Sequence, residues 1–302
     1  MTRRLSPLLV ALVGGIFLVL HLPVLVLVLY SFNSSRFAAS WSGFTLHWYA
    51  RLLERPDIVR ALRLSLTVAT LSTLVATLLG TLLALGLSRR PFRGRRLIEG
   101  GLYLPIVTPE IVAGISLLIL FVALRVPLGV GTVVVAHVAF TTPFVAVVVL
   151  ARLRGMDRSL EEAALALGAD EVTAFRRITL PLLAPGILAG ALLAFTLSLD
   201  DFVITFFVAG PGSTTLPVLV YSMVRRGVEP TINAVSAVLV VLTTGTIALA
   251  SRLGGPRGAR GSRPRPTPTS PRGCRRASTA VPTRPSSSTR AAPPATDPRT
   301  PC

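Results

Sequence analysis

Long uninterrupted apolar segments constrain this chain more than any other feature of its sequence. Six of them reach the roughly 20 residues that a helix needs to cross a bilayer. They run from Leu8 to Tyr30, Leu62 to Leu87, Ile98 to Leu124, Val130 to Leu150, Pro185 to Val208 and Ile232 to Ala250. Of the 302 residues, 51% are apolar and 15% are charged, which is also a membrane composition. The sequence predicts an all-α membrane protein with six transmembrane helices.

Both ends of a six-span chain lie on the same side of the membrane, and the arginines indicate which side. With a cytoplasmic N-terminus, 13 arginines before residue 253 fall on the cytoplasmic side and 8 on the external side. We therefore expect cytoplasmic N- and C-termini. Arg3 and Arg4 precede the first span, as in a secretory signal. The apolar run is longer than that of a signal and no small-residue cleavage site follows it, so we expect a retained helix.

The basic residues exclude several kinds of chemistry, because all 31 of them are arginines. A P-loop ATPase needs a lysine after its glycines, and Schiff-base catalysis needs one as well. Any ATP must therefore be hydrolysed by another chain. An intramembrane enzyme is disfavoured too, because no Gly-x-Ser-x-Gly or His-Glu-x-x-His motif occurs. We expect a protein that is not an enzyme and has no cofactor or metal.

The net charge of +18 does not indicate nucleic acid, because the segment 253–302 carries ten arginines and one aspartate. This segment is rich in Pro, Arg, Ser and Thr, cannot bury enough apolar surface to fold, and is predicted to be disordered. It either lies on anionic lipid or has no role. The remaining charge borders the apolar spans, where lipid headgroups explain it better than DNA does. Residues 1–252 are predicted to form one transmembrane domain.

A polar loop, about residues 151 to 184, separates the fourth span from the fifth. Ser159 and Glu162 have the spacing of a capping box, and Gly168 is the residue expected just beyond the short helix that this box begins. Asp170 can cap a second short helix through Phe175 to Arg177, and Pro181 is expected to stop this helix from continuing regularly. The first helix is rich in alanine, which lets another surface approach its backbone. Because so short a helix is marginal in water, we expect something to hold it.

Three acidic residues lie within apolar segments, where ionisable groups are costly and usually face the bundle interior or water. Asp200 and Asp201 fall about 15 residues into the fifth span and point about 100° apart, so one can face the pathway while the other pairs with a neighbouring helix. Glu110 follows Pro105 and Pro109, which are expected to break the third span early. Each acid either lines a substrate pathway or makes a structural hydrogen bond between helices.

Three smaller features complete the pattern. His137 stands alone in an apolar helix, so we expect a packing histidine rather than a metal ligand. The stretches 46–53 and 216–224 are too short to span a membrane and are predicted to be short surface helices. The second of them should end near Arg225 and Gly227.

The polar loop contains the pattern Glu-Ala-Ala, three residues, Gly, nine residues, Ile, one residue, Leu-Pro. Its defined positions are Glu162, Ala163, Ala164, Gly168, Ile178, Leu180 and Pro181. This pattern resembles the signature loop of the permease subunits of bacterial binding-protein-dependent ABC importers, and every defined position is filled. The resemblance implies the ABC importer permease (MetI-like) fold in the inner membrane. It also implies that these seven residues form a coupling helix and its flank, docked on an ATPase subunit.

Other segments are similar to the spermidine/putrescine branch of that family. They are residues 30–33, 41–49, 109–111, 198–202, 210–212 and 221–223. The resemblance implies polyamine import by alternating access, together with a second permease subunit, two ATPase subunits and an external solute-binding protein. A carboxylate on the route would offset part of the dehydration of a polycation, so Asp200, Asp201 and Glu110 are the candidate pathway residues. The alternative is the same type of importer for an aminophosphonate, an opine or a metal ion.

Overall fold

The computed structural model describes residues 6–35, 40–89, 92–227 and 230–254. Within these ranges the regular structure is helical, apart from one isolated bridge between Asn33 and Phe44. The helices are α1 (Pro7–Tyr30), α2 (His47–Glu54), α3 (Pro56–Arg89), α4 (Arg95–Val107), α5 (Glu110–Ala123), α6 (Val130–Arg154), α7 (Ser159–Ala166), α8 (Glu171–Ala174), α9 (Leu180–Asp200), α10 (Val203–Val208), α11 (Leu216–Arg226) and α12 (Pro230–Gly254). The predicted all-α class is confirmed. The part of the predicted tail that follows residue 254 lies outside the described residues.

Five helical segments are long and apolar enough to cross a membrane by length and composition. They are Leu8–Tyr30, Pro56–Arg89, Val130–Arg154, Glu171–Asp200 and Pro230–Leu249. The helices α4 and α5 meet this test only as a pair bent by 107°, which counts as a sixth span if the pair crosses as one. Five to six apolar helices agree with the predicted six, and the third predicted span is divided in two. The break lies at Thr108 and Pro109 and not at Pro105, which is accommodated inside α4.

The centre of the bundle is formed by α3, which packs along both α6 and α9. Small residues make this close packing possible, since Ala76 and Ala84 are fully buried between the helices. At Gly80, an added Cβ would lie 2.8 Å from Cβ of Val145 and 2.9 Å from the carbonyl oxygen of Thr142. No side chain fits there, so glycine is needed for α3 and α6 to touch.

The two predicted short helices are confirmed as α2 and α11, and both pack against α12. Trp48 and Leu52 of α2 share one apolar cluster with Leu216 and Met223 of α11. The indole Nε1 of Trp48 also donates a hydrogen bond to the carbonyl oxygen of Asn33, at 2.7 Å. This bond ties α2 to the chain that leaves α1, so the short helices are fixed parts of the domain.

The first helix, α1, contributes little to the interior. Its apolar side chains are exposed within the described chain, for example Leu18 and Leu20 at 59% and 68%. A helix that is apolar on all sides requires an apolar environment. Its surface is therefore open to lipid or to another membrane chain.

Candidate functional site

The helix of the fifth span ends at the two acidic residues, which corrects the prediction of one helix from Pro185 to Val208. The helix α9 ends at Asp200, Asp201 has an extended backbone with ψ at 122°, and α10 begins at Val203. Asp201 then caps α10 with its side chain: Oδ1 accepts from the N–H of Ile204 at 3.3 Å, and Oδ2 accepts from the N–H of Thr205 at 2.8 Å. A carboxylate at this position satisfies amides that have no partner within the helix.

His137 of α6 holds this break from the other side. Its Nε2 lies 3.2 Å from Oδ2 of Asp201 and 2.8 Å from the hydroxyl of Thr205, and its Nδ1 lies 2.7 Å from the hydroxyl of Ser198. All four side chains are buried. His137 is thus a hydrogen-bonded packing histidine, as expected, but its partnership with Asp201 was not predicted. The four residues join α6, α9 and α10 in one buried polar cluster.

Asp200 and Glu110 differ from Asp201 because both are exposed. Neither side chain has a hydrogen bond or ion pair with any residue that the structure describes. Glu110 is the first residue of α5 and follows the break in the third span. One turn later, Gly114 lies directly against Ile204 and Phe207 of α10.

The two interrupted apolar segments lie side by side, because α5 packs against α10. Glu110, at the start of α5, and Asp200 and Asp201, just before α10, therefore belong to neighbouring segments. The carbonyl groups at the end of α9 add partial negative charge beside Asp200. We call Glu110, Asp200 and Asp201 the acidic site. Its two exposed carboxylates are suited to a cation, because they lack partners of their own within the described chain.

An aromatic cluster adjoins the acidic site. The ring centroid of Phe202 lies 4.6 Å from that of Tyr221 and 5.5 Å from that of Phe206. The guanidinium of Arg225 lies over the ring of Tyr221, with Cζ 5.3 Å from the centroid. Aromatic faces attract cations, and one of these faces is already covered by Arg225. Phe202 and Tyr221 are 19 residues apart in the sequence and come together only in the folded chain. Their contact could therefore not be predicted from the sequence pattern, and only the resemblance pointed to the two segments that contain them.

The polar loop begins differently from the prediction. Ser159 is the first residue of α7 and does not cap it. Instead, Oδ1 of Asp157 accepts a hydrogen bond from the N–H of Ser159 at 2.9 Å. This bond holds the pKa of Asp157 below its ordinary value. The predicted capping box is therefore wrong, because an aspartate two residues earlier takes the same amide.

The glycine and aspartate predicted to end one helix and start the next are confirmed. Gly168 has φ of +91°, its N–H bonds to the carbonyl of Leu165, and the N–H of Ala169 bonds to the carbonyl of Ala164. This pair of bonds is a Schellman motif. Asp170 then accepts from the N–H of Thr173 at 3.3 Å, and hydrogen bonding to Thr173 lowers the pKa of Asp170. The turn between α7 and α8 is thus held by the two backbone hydrogen bonds at Gly168 and Ala169 and by the side-chain cap of Asp170.

The prediction that Pro181 prevents a regular continuation of the second helix is confirmed. The helix passes from α8 through the π turn Phe175–Thr179 into α9, giving one continuous segment of 30 residues, Glu171–Asp200. In the π turn the N–H of Leu180 bonds to the carbonyl of Phe175, five residues earlier. The wider turn accommodates Pro181, which has no N–H to donate. The polar loop is therefore joined to Asp200 by an unbroken helix.

The seven signature residues lie at two neighbouring places in the polar loop. Five of the seven are exposed, and two are half-buried. The exposed residues are Glu162, Ala163, Gly168, Leu180 and Pro181, and the half-buried ones are Ala164 and Ile178. Glu162 and Ile178 line a cleft of about 280 Å³ between this loop and the end of α3. The signature residues thus provide exposed positions on α7, and the last of them lie where the π turn passes into α9.

Known proteins share both the sequence and the fold of this chain. Residues 76–253 match the family described as binding-protein-dependent transport system inner membrane component. The spermidine/putrescine transport system permease protein PotC of Escherichia coli strain K12 is 44% identical over 239 residues, which are 79% of this chain and 90% of PotC. The putrescine transport system permease protein PotI of the same strain is 48% identical over 231 residues, which are 74% of this chain and 82% of PotI.

A solved structure agrees with this assignment. The crystal structure of a bacterial ABC transporter involved in the import of the acidic polysaccharide alginate matches with a TM-score of 0.64 and 18% identity, over 82% of this chain and 94% of that chain. This likeness concerns the fold, and it confirms the predicted ABC importer architecture. With more than half of its length matched by the family, this chain belongs to the inner membrane components of binding-protein-dependent transport systems.

Proposed function

We propose that this chain is the permease subunit of an ABC importer for polyamines such as spermidine and putrescine. The observation that carries the proposal is the acidic site, where Glu110 at the start of α5 and Asp200 at the end of α9 have no hydrogen-bond or ion-pair partner within the described chain. Polyamines are flexible polycations, and carboxylates, helix carbonyl ends and aromatic faces are the groups that favour a cation. The names of PotC and PotI point to the same solutes.

Within the acidic site the three residues take two roles. Asp200 and Glu110 line the pathway, since their carboxylates are exposed. Asp201 acts through position, because its two oxygens already accept hydrogen bonds from α10 and lie beside His137. A solute that reaches the breaks therefore exchanges part of its hydration shell for Asp200 and Glu110.

In this proposal the polar loop is the part of the chain that contacts the ATPase subunits. Glu162, Ala163 and Ala164 form the docking face of a coupling helix, and Gly168, Ile178, Leu180 and Pro181 shape its junction with α9. The chain forms half of a channel and works with a second permease subunit, two ATPase subunits and an external solute-binding protein. Closure of the ATPases on ATP moves α7 and opens the pathway outward. The arginine bias supports a cytoplasmic position for both termini.

Uptake by the reconstituted transporter tests the proposal. Proteoliposomes that contain the permease pair, the ATPases and the binding protein should accumulate labelled spermidine or putrescine when ATP is supplied. Asp200→Asn and Glu110→Gln should each lower uptake roughly tenfold, the effect of losing about 1.4 kcal/mol of favourable interaction. Asp57→Asn is a matched control, because Asp57 is an acid at the start of α3 whose Oδ2 lies 2.8 Å from Arg55 Nη2.

Two results would contradict the proposal. One is ATP-dependent uptake of an aminophosphonate, an opine or a metal ion without any uptake of polyamine. The other is unchanged polyamine uptake in both Asp200→Asn and Glu110→Gln, which would leave the acidic site without a role in transport.

A further inference from the structure

The residue immediately before the signature glutamate makes the contacts between α7 and the membrane-spanning helices. Oε1 of Glu161 accepts a hydrogen bond from Arg89 at 2.9 Å, and its Oε2 accepts one from the hydroxyl of Thr179 at 2.9 Å. Arg89 is the last residue of α3, and Thr179 ends the π turn that leads into α9. One carboxylate therefore bridges the two helices that pack together at the centre of the bundle.

Further contacts reinforce the same junction. The guanidinium of Arg89 lies over the ring of Phe175, with Cζ 5.2 Å from the centroid, and Phe175 begins the π turn. Arg158, next to α7, donates to the carbonyl oxygen of Ser88 at 2.9 Å. The end of α3 is thus tied to both sides of the polar loop.

Glu161 and Glu162 face different ways because neighbouring helix residues are about 100° apart. The side chain of Glu161 is 31% exposed and is directed at its own chain through Arg89 and Thr179. Glu162 is exposed and has no side-chain hydrogen bond within the described residues. The two glutamates are therefore separated into an inward and an outward contact.

We propose that Glu161 is the positioning residue that carries movement of α7 to α3 and α9, while Glu162 is left for the ATPase. This inference rests on the proposed function, in which α7 is driven by an ATPase. A half-exposed ion pair contributes little to stability. The role of the Arg89–Glu161 pair is therefore to hold α7 in a fixed position relative to α3. When α7 moves, the bonds from Glu161 displace the end of α3 and the start of the continuous helix that ends at Asp200.

The test uses the complete reconstituted transporter and two separate readouts, the affinity of the ATPase for the permease pair and the uptake of spermidine per ATP hydrolysed. Glu161→Gln removes the charge that Arg89 binds, and Thr179→Val removes the hydroxyl at nearly constant volume. Glu99→Gln is the matched control, because Glu99 is a similarly exposed carboxylate bound to Arg95 and Arg154 and has no contact with α7.

We expect Glu161→Gln and Thr179→Val to lower uptake per ATP about fivefold or more, the usual lower range of coupling between sites. ATPase affinity should stay at the wild-type value in both. The double variant should be no worse than Glu161→Gln alone, because both changes break one linkage. The exchange Arg89→Glu with Glu161→Arg should recover much of the loss caused by Glu161→Arg, since the pair re-forms with reversed charges.

Two outcomes would overturn the inference while leaving polyamine import intact. One is wild-type uptake per ATP in both single variants, equal to that of Glu99→Gln. The other is weakened ATPase affinity in Glu161→Gln, which would make Glu161 part of the docking face. Absence of polyamine uptake by the wild-type transporter would instead refute the proposed function and the inference together.

Discussion

Nε2 of His137 lies 3.2 Å from Oδ2 of Asp201, and both side chains are buried between α6, α9 and α10. A buried polar group is costly unless it is hydrogen-bonded, and here Ser198 and Thr205 supply the remaining partners. Asp200 is adjacent in sequence but exposed. Two consecutive aspartates therefore have different environments, because Asp201 is buried and Asp200 is exposed.

This difference predicts opposite effects on stability. Asp201→Ala removes the cap of α10 and leaves the backbone amides of Ile204 and Thr205 without their acceptor, so it should destabilise the folded permease by about 2 kcal/mol. Asp200→Ala breaks no bond within the described chain and should change stability by about 0.5 kcal/mol at most. Thermal unfolding of the purified variants in one detergent measures both. Equal stability of the two variants would show that the buried cluster does not hold the break.

The sequence identified all three acids of the acidic site but not the geometry that distinguishes them. A carboxylate within an apolar run is costly to place in a membrane and therefore suggests a function. For this reason Glu110, Asp200 and Asp201 are candidate site residues. The run from Pro185 to Val208 contains no glycine or proline near the acids, so the local signal for the break after Asp200 is limited to Asp201 itself, which can cap a following helix. It depends on His137, which is 64 residues earlier.

Prolines gave a partial signal for the break between α4 and α5 and a correct one in the polar loop. The residue before a proline tends towards extended backbone, and Thr108, before Pro109, has ψ of 131°. Pro105, in contrast, lies inside α4 and does not break it. Pro181 predicts an irregular helix, and the irregularity is the π turn just before it. Which proline breaks a span is decided by packing and local hydrogen bonding, which periodicity does not reveal.

Two glycines of α3 provide a matched test of helix packing. An added Cβ at Gly80 would lie 2.8 Å from Cβ of Val145, whereas nothing lies within 4 Å of one at Gly86. Gly80→Ala should therefore destabilise the protein by about 1 to 3 kcal/mol through overpacking. Gly86→Ala should be neutral or slightly stabilising, because alanine is the better helix former. Unfolding midpoints decide the matter, and comparable losses for both substitutions would contradict close packing of α3 on α6.

The Schellman turn at Gly168 predicts a dependence on backbone conformation rather than on space. Nothing lies within 4 Å of an added Cβ, but φ is +91°, which L-residues rarely adopt. Gly168→Ala should weaken the end of α7 by about 1 to 2 kcal/mol, and Gly168→Asn should be milder because asparagine tolerates this region. Gly155→Ala is the control, since Gly155 has φ of −87°.

Amide hydrogen exchange across residues 159–168 is the measurement for these variants. Faster exchange is expected in Gly168→Ala and not in Gly155→Ala. Similar exchange in the two would mean that the turn does not fix the end of α7.

The cap at Asp170 predicts a pH dependence within the polar loop. Hydrogen bonding to Thr173 lowers the pKa of Asp170 in the folded protein. A group whose pKa is lowered by folding stabilises the fold above its unfolded pKa, and this contribution is lost as the pH falls through the folded value. The cap should therefore be complete at about pH 6 and weaken towards about pH 3, since an unperturbed aspartate titrates near 3.9.

Exchange of the Thr173 amide reports this loss directly, because that N–H is the donor to Asp170. After correction for the intrinsic effect of pH on exchange, protection of Thr173 should decrease in acid in the wild-type protein. In Asp170→Asn, the amide oxygen still accepts the bond and does not titrate, so protection should be independent of pH over the same range. A matching loss of protection in Asp170→Asn would assign the acid sensitivity to another group.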